Sequence, residues 1–533
     1  MTIEEVLKEL RSKNIRITLV NDNELDVKAP KGVVNQEIIL LLKEKKQAII
    51  KYLNDFKKNE DSIQKAAFSN VGYPLSFAQK KLWVLSQLEE RSIAYIVSDV
   101  MIIPAKVDVE LLEKAIHSTI IRHESLRTIF RKDENDELRQ WILPETIINF
   151  KLEYKDLRNA GNKEEYVNDY ILKDKNKVFN LSEDILLRTC LFQLEDNSFI
   201  FHYMMHHIIT DGVSMKIMKD DVLEYYEAFI MDRKPSLSEL RIQYKDYTLW
   251  QYEQLKTKEF QEHKKFWLNE LSGKLPILEL PNQKPRPKVM TYNGCTLSTY
   301  IYSETTNKFK EFCLHNKGTM FSGILTVWKI LFYKYTNTKD LIIGSPIAGR
   351  DITDLENQIG IYMNMKIHRN KLDVEDNFIE TYVKIKNSTL ASTKHQMYPV
   401  DKLMDDLKLT YDPSRNPIYD VMLSYHNTDE NENLHLKLTR EEIDVINVDD
   451  LENSKLDMLI NVKEEGEYLY FDINYNTDIY EEAMIRKLMS DFKRILNELL
   501  NNPSEKIKNI DYNSEIKKTI KEKNKTRFNM KIK

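Results

Sequence analysis

The stretch from residue 185 to residue 229 limits the fold most. Two long apolar runs, residues 185–194 and 199–207, flank the turn Glu195-Asp-Asn-Ser and read as paired strands. Val213, Ile217, Met218, Leu223, Tyr226 and Phe229 then recur at helical spacing, which lays an amphipathic helix back on that sheet. The result is a mixed α/β layer. The same vocabulary appears elsewhere: a helix over 111–123 with extended residues 126–131, and, beyond residue 244, a helix over 321–335 with strands near 341–344, 419–425 and 458–462. The Pro-rich piece 276–287 reads as a loop inside this second half. Two halves with similar element order suggest two related lobes.

The first 55 residues form a smaller unit. Ile3, Val6, Leu7 and Leu10 mark a helix, and two short β runs flank Asn21-Asp22-Asn23, a hairpin signal. Asn35 then caps a helix carrying Ile38, Leu41 and Leu42, followed by a further helical stretch with Ile49, Ile50 and Leu53. Residues 56–72 lack periodicity and read as a linker; residues after 505 form a charged tail. With 533 residues the chain has room for about three or four units.

Charge excludes one class of partner. Lys and Arg number 79 against 84 Asp and Glu, so no basic field invites nucleic acid. No apolar run reaches membrane-spanning length, and the opening Met1-Thr-Ile-Glu-Glu lacks a secretory pattern. Three cysteines without a CxxC spacing read as reduced thiols of a cytoplasmic protein. Twelve glycines, with no GxxxxGK[ST] or GxGxxG, leave no phosphate-cradling loop.

The sharpest candidate site is His206-His207-Ile-Ile-Thr-Asp211-Gly212, where a strand gives way to a helix. Such a junction exposes side chains at a sheet edge and turns helix N–H groups toward the same spot. Adjacent residues of a strand face opposite ways, so one imidazole faces a cavity and the other belongs to the core. Asp211 either holds a histidine or braces the loop; Gly212 permits close backbone approach. His202 and His206 share a strand face with Asp211 nearby, yet no metal-ligand spacing such as HExxH is present, and no metal is expected.

These residues resemble the HHxxxDG signature of condensation domains of non-ribosomal peptide synthetases. Six further segments follow in family order: Ser76-Phe-Ala-Gln-Lys-Lys-Leu-Trp83, Arg122-His-Glu-Ser-Leu-Arg127-Thr-Ile-Phe130, Tyr244-Lys-Asp-Tyr-Thr-Leu-Trp250, Ile359-Gly-Ile-Tyr-Met-Asn364, His395-Gln-Met-Tyr398-Pro399-Val-Asp401, and Ser414-Arg415-Asn416-Pro417 with Val421-Met422. Tyr362, Met363 and Met397 depart from the commoner family residues. The resemblance covers about residues 73–500. The first 55 residues resemble, by element order, the β-hairpin docking domains of synthetase subunits.

The resemblance implies an α/β fold of two chloramphenicol-acetyltransferase-like lobes in a V, residues 73–243 and 244–505, behind an α-β-β-α-α docking domain (1–55) and linker (56–72), with residues 506–533 a tail. It implies amide-bond formation between a donor acyl or peptidyl thioester and an acceptor aminoacyl thioester, each on a phosphopantetheinyl carrier protein. No cofactor is expected on this chain; the phosphopantetheine arrives on its partners. Those partners are an upstream donor carrier recruited by the docking domain, and a downstream acceptor carrier with its adenylation domain. Nucleic acid and membrane are not among them. By the motif match His207 is the catalytic histidine, as base or as positioning and charge-stabilising group, and the Gly212 N–H contacts the reacting carbonyl. His206 supports it. Asp211 pairs with Arg127, and Arg122 is a solvated helix-end charge. Tyr362, Asn364, Arg415 and Asn416 line the substrate tunnel. Phe77-Ala-Gln with Leu82-Trp83 looks like the class accepting donors that end in an L-residue. The alternatives are a coenzyme A-dependent acyltransferase on the same scaffold, and a catalytically silent platform that recruits proteins.

Overall fold

The computed structural model describes residues 10, 16–21, 24–28, 36–59, 63–87, 89–281, 283–409, 412–427 and 453–510. The chain divides into two compact units, residues 1–65 and 66–533. In the first, strands Arg16–Asn21 and Glu24–Lys28 pair antiparallel, and Ile38 and Leu10 are buried with Ile17, Leu41 and Leu42 packed on them. The expected first helix lies outside the described residues apart from Leu10. The two helices expected after it are one, Gln36–Asn59. The stretch between their apolar clusters, Lys43-Glu-Lys-Lys-Gln47, contains no breaker and only strong helix formers. That helix takes up the start of the expected linker. Its end belongs to the second unit: the Ala66 N–H donates to Asp246 Oδ1 (2.7 Å) and the Tyr73 hydroxyl to Ala67 O (3.0 Å).

Two larger sheets organise the second unit. The first has the order Ile96–Ile103, Ser198–His206, Leu187–Glu195, Glu153–Asp156. Its central hairpin is the pair of apolar runs read from the sequence, in register from Leu187 opposite Met205 to Gln193 opposite Phe199, with a register shift before Glu195 opposite Ser198. Helices Val109–Arg122 and Gly212–Ile230 accompany it. The second sheet runs Gly294–Ile301, Tyr468–Asn476, Met458–Glu465, Val421–Asn427, Asp340–Ile347, Asn364–Lys371. Its core is built on helices Met320–Thr336 and Glu482–Asn501, whose Trp328 and Phe492 rings lie 4.7 Å apart. Each sheet thus carries its own helices, one sheet per half of the sequence. Among the described residues no helix is long and apolar enough to cross a membrane.

Candidate functional site

Strand Ser198–His206 ends at the first histidine, and His207 opens a single 3-10 turn, His207–Ile209. The turn, rather than strand alternation, separates the two rings. His206 is fully buried; its Nδ1 accepts the Ile208 N–H (3.1 Å), and its Nε2 is sealed without a partner. Burial, then the charge of His207, pushes it down to about 3, so it is a neutral core residue. His207 is half-buried. Its backbone N–H donates to Tyr95 O (2.8 Å), and its Nδ1 lies 2.7 Å from Thr210 O. A carbonyl only accepts, so Nδ1 carries the proton and Nε2 presents its lone pair, with no hydrogen-bond partner among the described residues. Burial, then the charge of Lys455, lowers His207 to about 4. The ring is a neutral acceptor at physiological pH.

Gly212 begins helix Gly212–Ile230. A methyl group built there would meet no heavy atom within 4 Å. Its φ is not positive, so the glycine answers no backbone strain and instead leaves open space at a helix N-terminus. The first N–H groups of a helix have no intrahelical acceptor and can face a developing negative charge.

Asp211 caps that helix and is 2% exposed. Oδ1 accepts from the Ser214 N–H (2.8 Å) and hydroxyl (2.7 Å) and from Arg350 (2.9 Å); Oδ2 accepts the Tyr362 N–H (3.0 Å). The expected pairing with Arg127 is therefore corrected: Arg350, from the loop after strand Asp340–Ile347, takes that place. Arg127 instead donates to Leu143 O (2.6 Å) and lies 3.8–3.9 Å from Glu145 and Glu124. Gly349 makes the Arg350 position accessible. Its φ is +65°, and a Cβ there would sit 2.0 Å from Tyr362 O. Arg350 also donates to Leu355 O and Gln358 O and lies 4.4 Å over the Tyr362 ring. Reading Arg122 as a solvated charge fails too: it pairs with Asp221 (2.9 Å), as does His123 Nε2 (2.8 Å), and little of its side chain is exposed.

Segment 358–362 is held from several sides. The Ser125 hydroxyl donates to Ile359 O (2.7 Å), Gly360 N–H to Ser214 Oγ (3.1 Å), and the Tyr244 hydroxyl to Ile361 O (2.8 Å) while accepting from Ser76 (2.8 Å). Four of the sequence motifs are, physically, braces of this one floor. Tyr362 is buried and, with Asn364, lines a cavity of about 40 Å³ that His207 does not reach. Asn364 bonds Gln396 O, Tyr398 O and the Val400 N–H. Arg415 is committed to Asp420 (3.1 Å), and Asn416 accepts the N–H groups of Ile418 and Tyr419. Each of these four side chains thus bonds a group of the fold itself. Among the described residues no cluster of His, Cys, Asp or Glu is arranged to hold a metal ion.

The family model described as Condensation domain matches residues 70–519. The chain belongs to this family. In this chain the strand-end imidazole and the N-terminus of helix Gly212–Ile230 belong to the same signature segment. The model described as TubC N-terminal docking domain matches residues 3–55. The chain is similar to gramicidin S synthase 2 of Brevibacillus brevis, 31% identical over 89% of this chain and 10% of that protein. It is also similar to bacitracin synthase 2 of Bacillus licheniformis, 31% identical over 98% of this chain and 19% of that protein. The chain thus spans less than a fifth of the curated relatives it matches. Among solved structures, the X-domain from teicoplanin biosynthesis shares the fold at TM-score 0.74 and 22% identity, covering 84% of this chain and 99% of that one. The first condensation domain of the calcium-dependent antibiotic synthetase does so at TM-score 0.64 and 16% identity, covering 83% and 100%.

Arg350, Ser214 and Lys455 were not reached by sequence reasoning. For Arg350 the one available signal was Gly349 beside it, an arginine set after a sharp turn at the end of an apolar strand.

Proposed function

We propose that this chain forms a peptide bond between two carrier-bound thioesters: a donor acyl or peptidyl group and an acceptor aminoacyl group. The observation that carries the reading is the neutral His207 ring, with Nδ1–H committed to Thr210 O and Nε2 left as an acceptor, in the same segment as the helix that begins at Gly212. A thioester is already activated, so no Ser or Cys nucleophile is needed. The acceptor amine attacks the donor carbonyl, His207 Nε2 takes or holds the amine proton, and the departing thiol is the carrier's pantetheine. The open N–H groups at Gly212 face the oxyanion. No cofactor is required on the chain itself, because the phosphopantetheine arms belong to the carriers.

The hairpin unit recruits the upstream donor subunit, by adding a short strand at its edge; the acceptor carrier and its adenylation domain lie downstream. The compartment is the cytoplasm, where thioester-loaded carriers and reduced thiols coexist. The test mixes the chain with two loaded carriers and reads the acceptor by mass spectrometry. A dipeptidyl adduct supports the proposal. Acyl transfer from coenzyme A to a free amine, or no adduct from any pair, overturns it.

A further inference from the structure

The loop entering strand Met458–Glu465 carries one lysine to His207. Ser454 is sealed: its N–H donates to Tyr292 O (2.9 Å) and its hydroxyl to Leu456 O (2.7 Å). Asp457 is fixed by Arg286 (3.0 Å). Lys455 leaves the backbone between these anchors, and its ammonium lies 5.1 Å from the centroid of the Tyr95 ring. Tyr95 in turn meets the His207 ring edge-on at 6.5 Å, and its carbonyl accepts the His207 N–H. A cation from the second sheet thus reaches the residue that brackets the reacting imidazole on the first.

Its pairing is unusual. Lys81, on helix Phe77–Ser86, is matched by Asp401 at 2.9 Å. Lys455, among the described residues, forms no ion pair and no hydrogen bond; the Tyr95 face is its contact. An aromatic face holds a cation without neutralising it. A half-buried ammonium without a counter-ion is costly. Asp211 cannot serve, since Arg350, Ser214 and the Tyr362 N–H already occupy its oxygens. Burial first and Lys175 second bring Lys455 down to about 8, so it remains charged at neutral pH.

Resting on the amide-forming reading of this site, we propose that Lys455 is a specificity-determining residue that pairs with a carboxylate on the amino-acid side chain brought to His207. Before attack the reacting groups carry no anion, the amine being neutral or cationic and the thioester neutral, and the oxyanion that forms on attack is assigned to the Gly212 N–H groups. The phosphate of the arm sits at its far end from the thioester. With no carboxylate among the described residues paired to Lys455, an aspartyl- or glutamyl-type side chain of the substrate fits.

Binding tests this without turnover. Pantetheine amides of aspartate, asparagine and leucine, which replace the labile thioester, are titrated calorimetrically into the full chain. Free-amine forms probe the acceptor side and N-acetyl forms the donor side. The expected result is about ten-fold tighter binding of the aspartyl over the asparaginyl amide in one arm, which also identifies the side. Lys455→Met abolishes the difference, Lys455→Arg keeps it, and Lys455→Glu reverses it. Equal binding, or none, in both arms overturns the proposal, as does a preference that survives in Lys455→Met. A chain that discriminates yet forms no dipeptidyl adduct keeps the Lys455 assignment and loses the amide-forming reading. Adducts without discrimination do the opposite.

Discussion

His206 and His207 share a covalent neighbourhood but differ in which ring nitrogen is occupied. His206 uses Nδ1 as an acceptor and has Nε2 sealed; His207 uses Nδ1 as a donor and has Nε2 open. A free imidazole titrates near 6.5, while burial holds these two near 3 and 4. Between those values the unfolded chain binds protons that the folded chain refuses. Their stability contribution is complete above about pH 6.5 and is lost as pH falls toward 4 and then 3. The melting temperature of the wild type relative to that of a His206→Ala/His207→Ala variant is therefore expected to fall below about pH 6.5; a difference that rises on acidification contradicts the neutral assignment. His206→Ala removes a buried acceptor of the Ile208 N–H, and a loss of about 1–3 kcal/mol in denaturant unfolding is expected. A loss below 0.5 kcal/mol would mean the ring is not the core residue described.

At the scale of elements, the loop after strand Asp340–Ile347 and the helix Gly212–Ile230 are joined by one buried ion pair. Asp211→Ala leaves the Arg350 guanidinium uncompensated, and about 3–5 kcal/mol of stability should go with it. Arg350→Ala should cost a similar amount, the double variant clearly less than the sum. Arg127→Ala, whose partners are a carbonyl and two distant carboxylates, should cost about 1 kcal/mol. Additive Asp211 and Arg350 effects would contradict the pairing. Sequence reasoning assigned the partner to Arg127 because that arginine lies in a recognisable motif. Motif order carries no information about which of two arginines folding brings to a carboxylate 139 residues away. The hairpin of apolar strands and the helix behind it were legible because their periodicity is local. The fusion of two expected helices into Gln36–Asn59 was not, since the hydrophobic pattern pauses at Lys43–Gln47 while helix propensity does not.

For the whole molecule, two sheets with their own helices follow the two halves read from the sequence, and the family match agrees with the seven motifs that suggested it. Tyr362, Asn364, Arg415 and Asn416 lie at motif positions, and their hydrogen bonds, to the Gln358 amide oxygen, to backbone groups and to Asp420, were not legible from the motifs. The division at Lys65 predicts that a chain beginning at Ala66 keeps the melting temperature of the larger unit. Under the proposed function it also keeps amide formation with carriers supplied at high concentration, while losing preference for its upstream partner. A collapse in stability would show that the small unit is part of the fold.

The most direct measurement is a single-turnover comparison of the wild-type chain with His207→Ala, both with two loaded carriers and both checked for the same melting temperature. The wild type should form the dipeptidyl adduct, and the variant should be slower by a factor on the order of 10²–10⁴. Equal rates at equal stability would remove the imidazole from the chemistry.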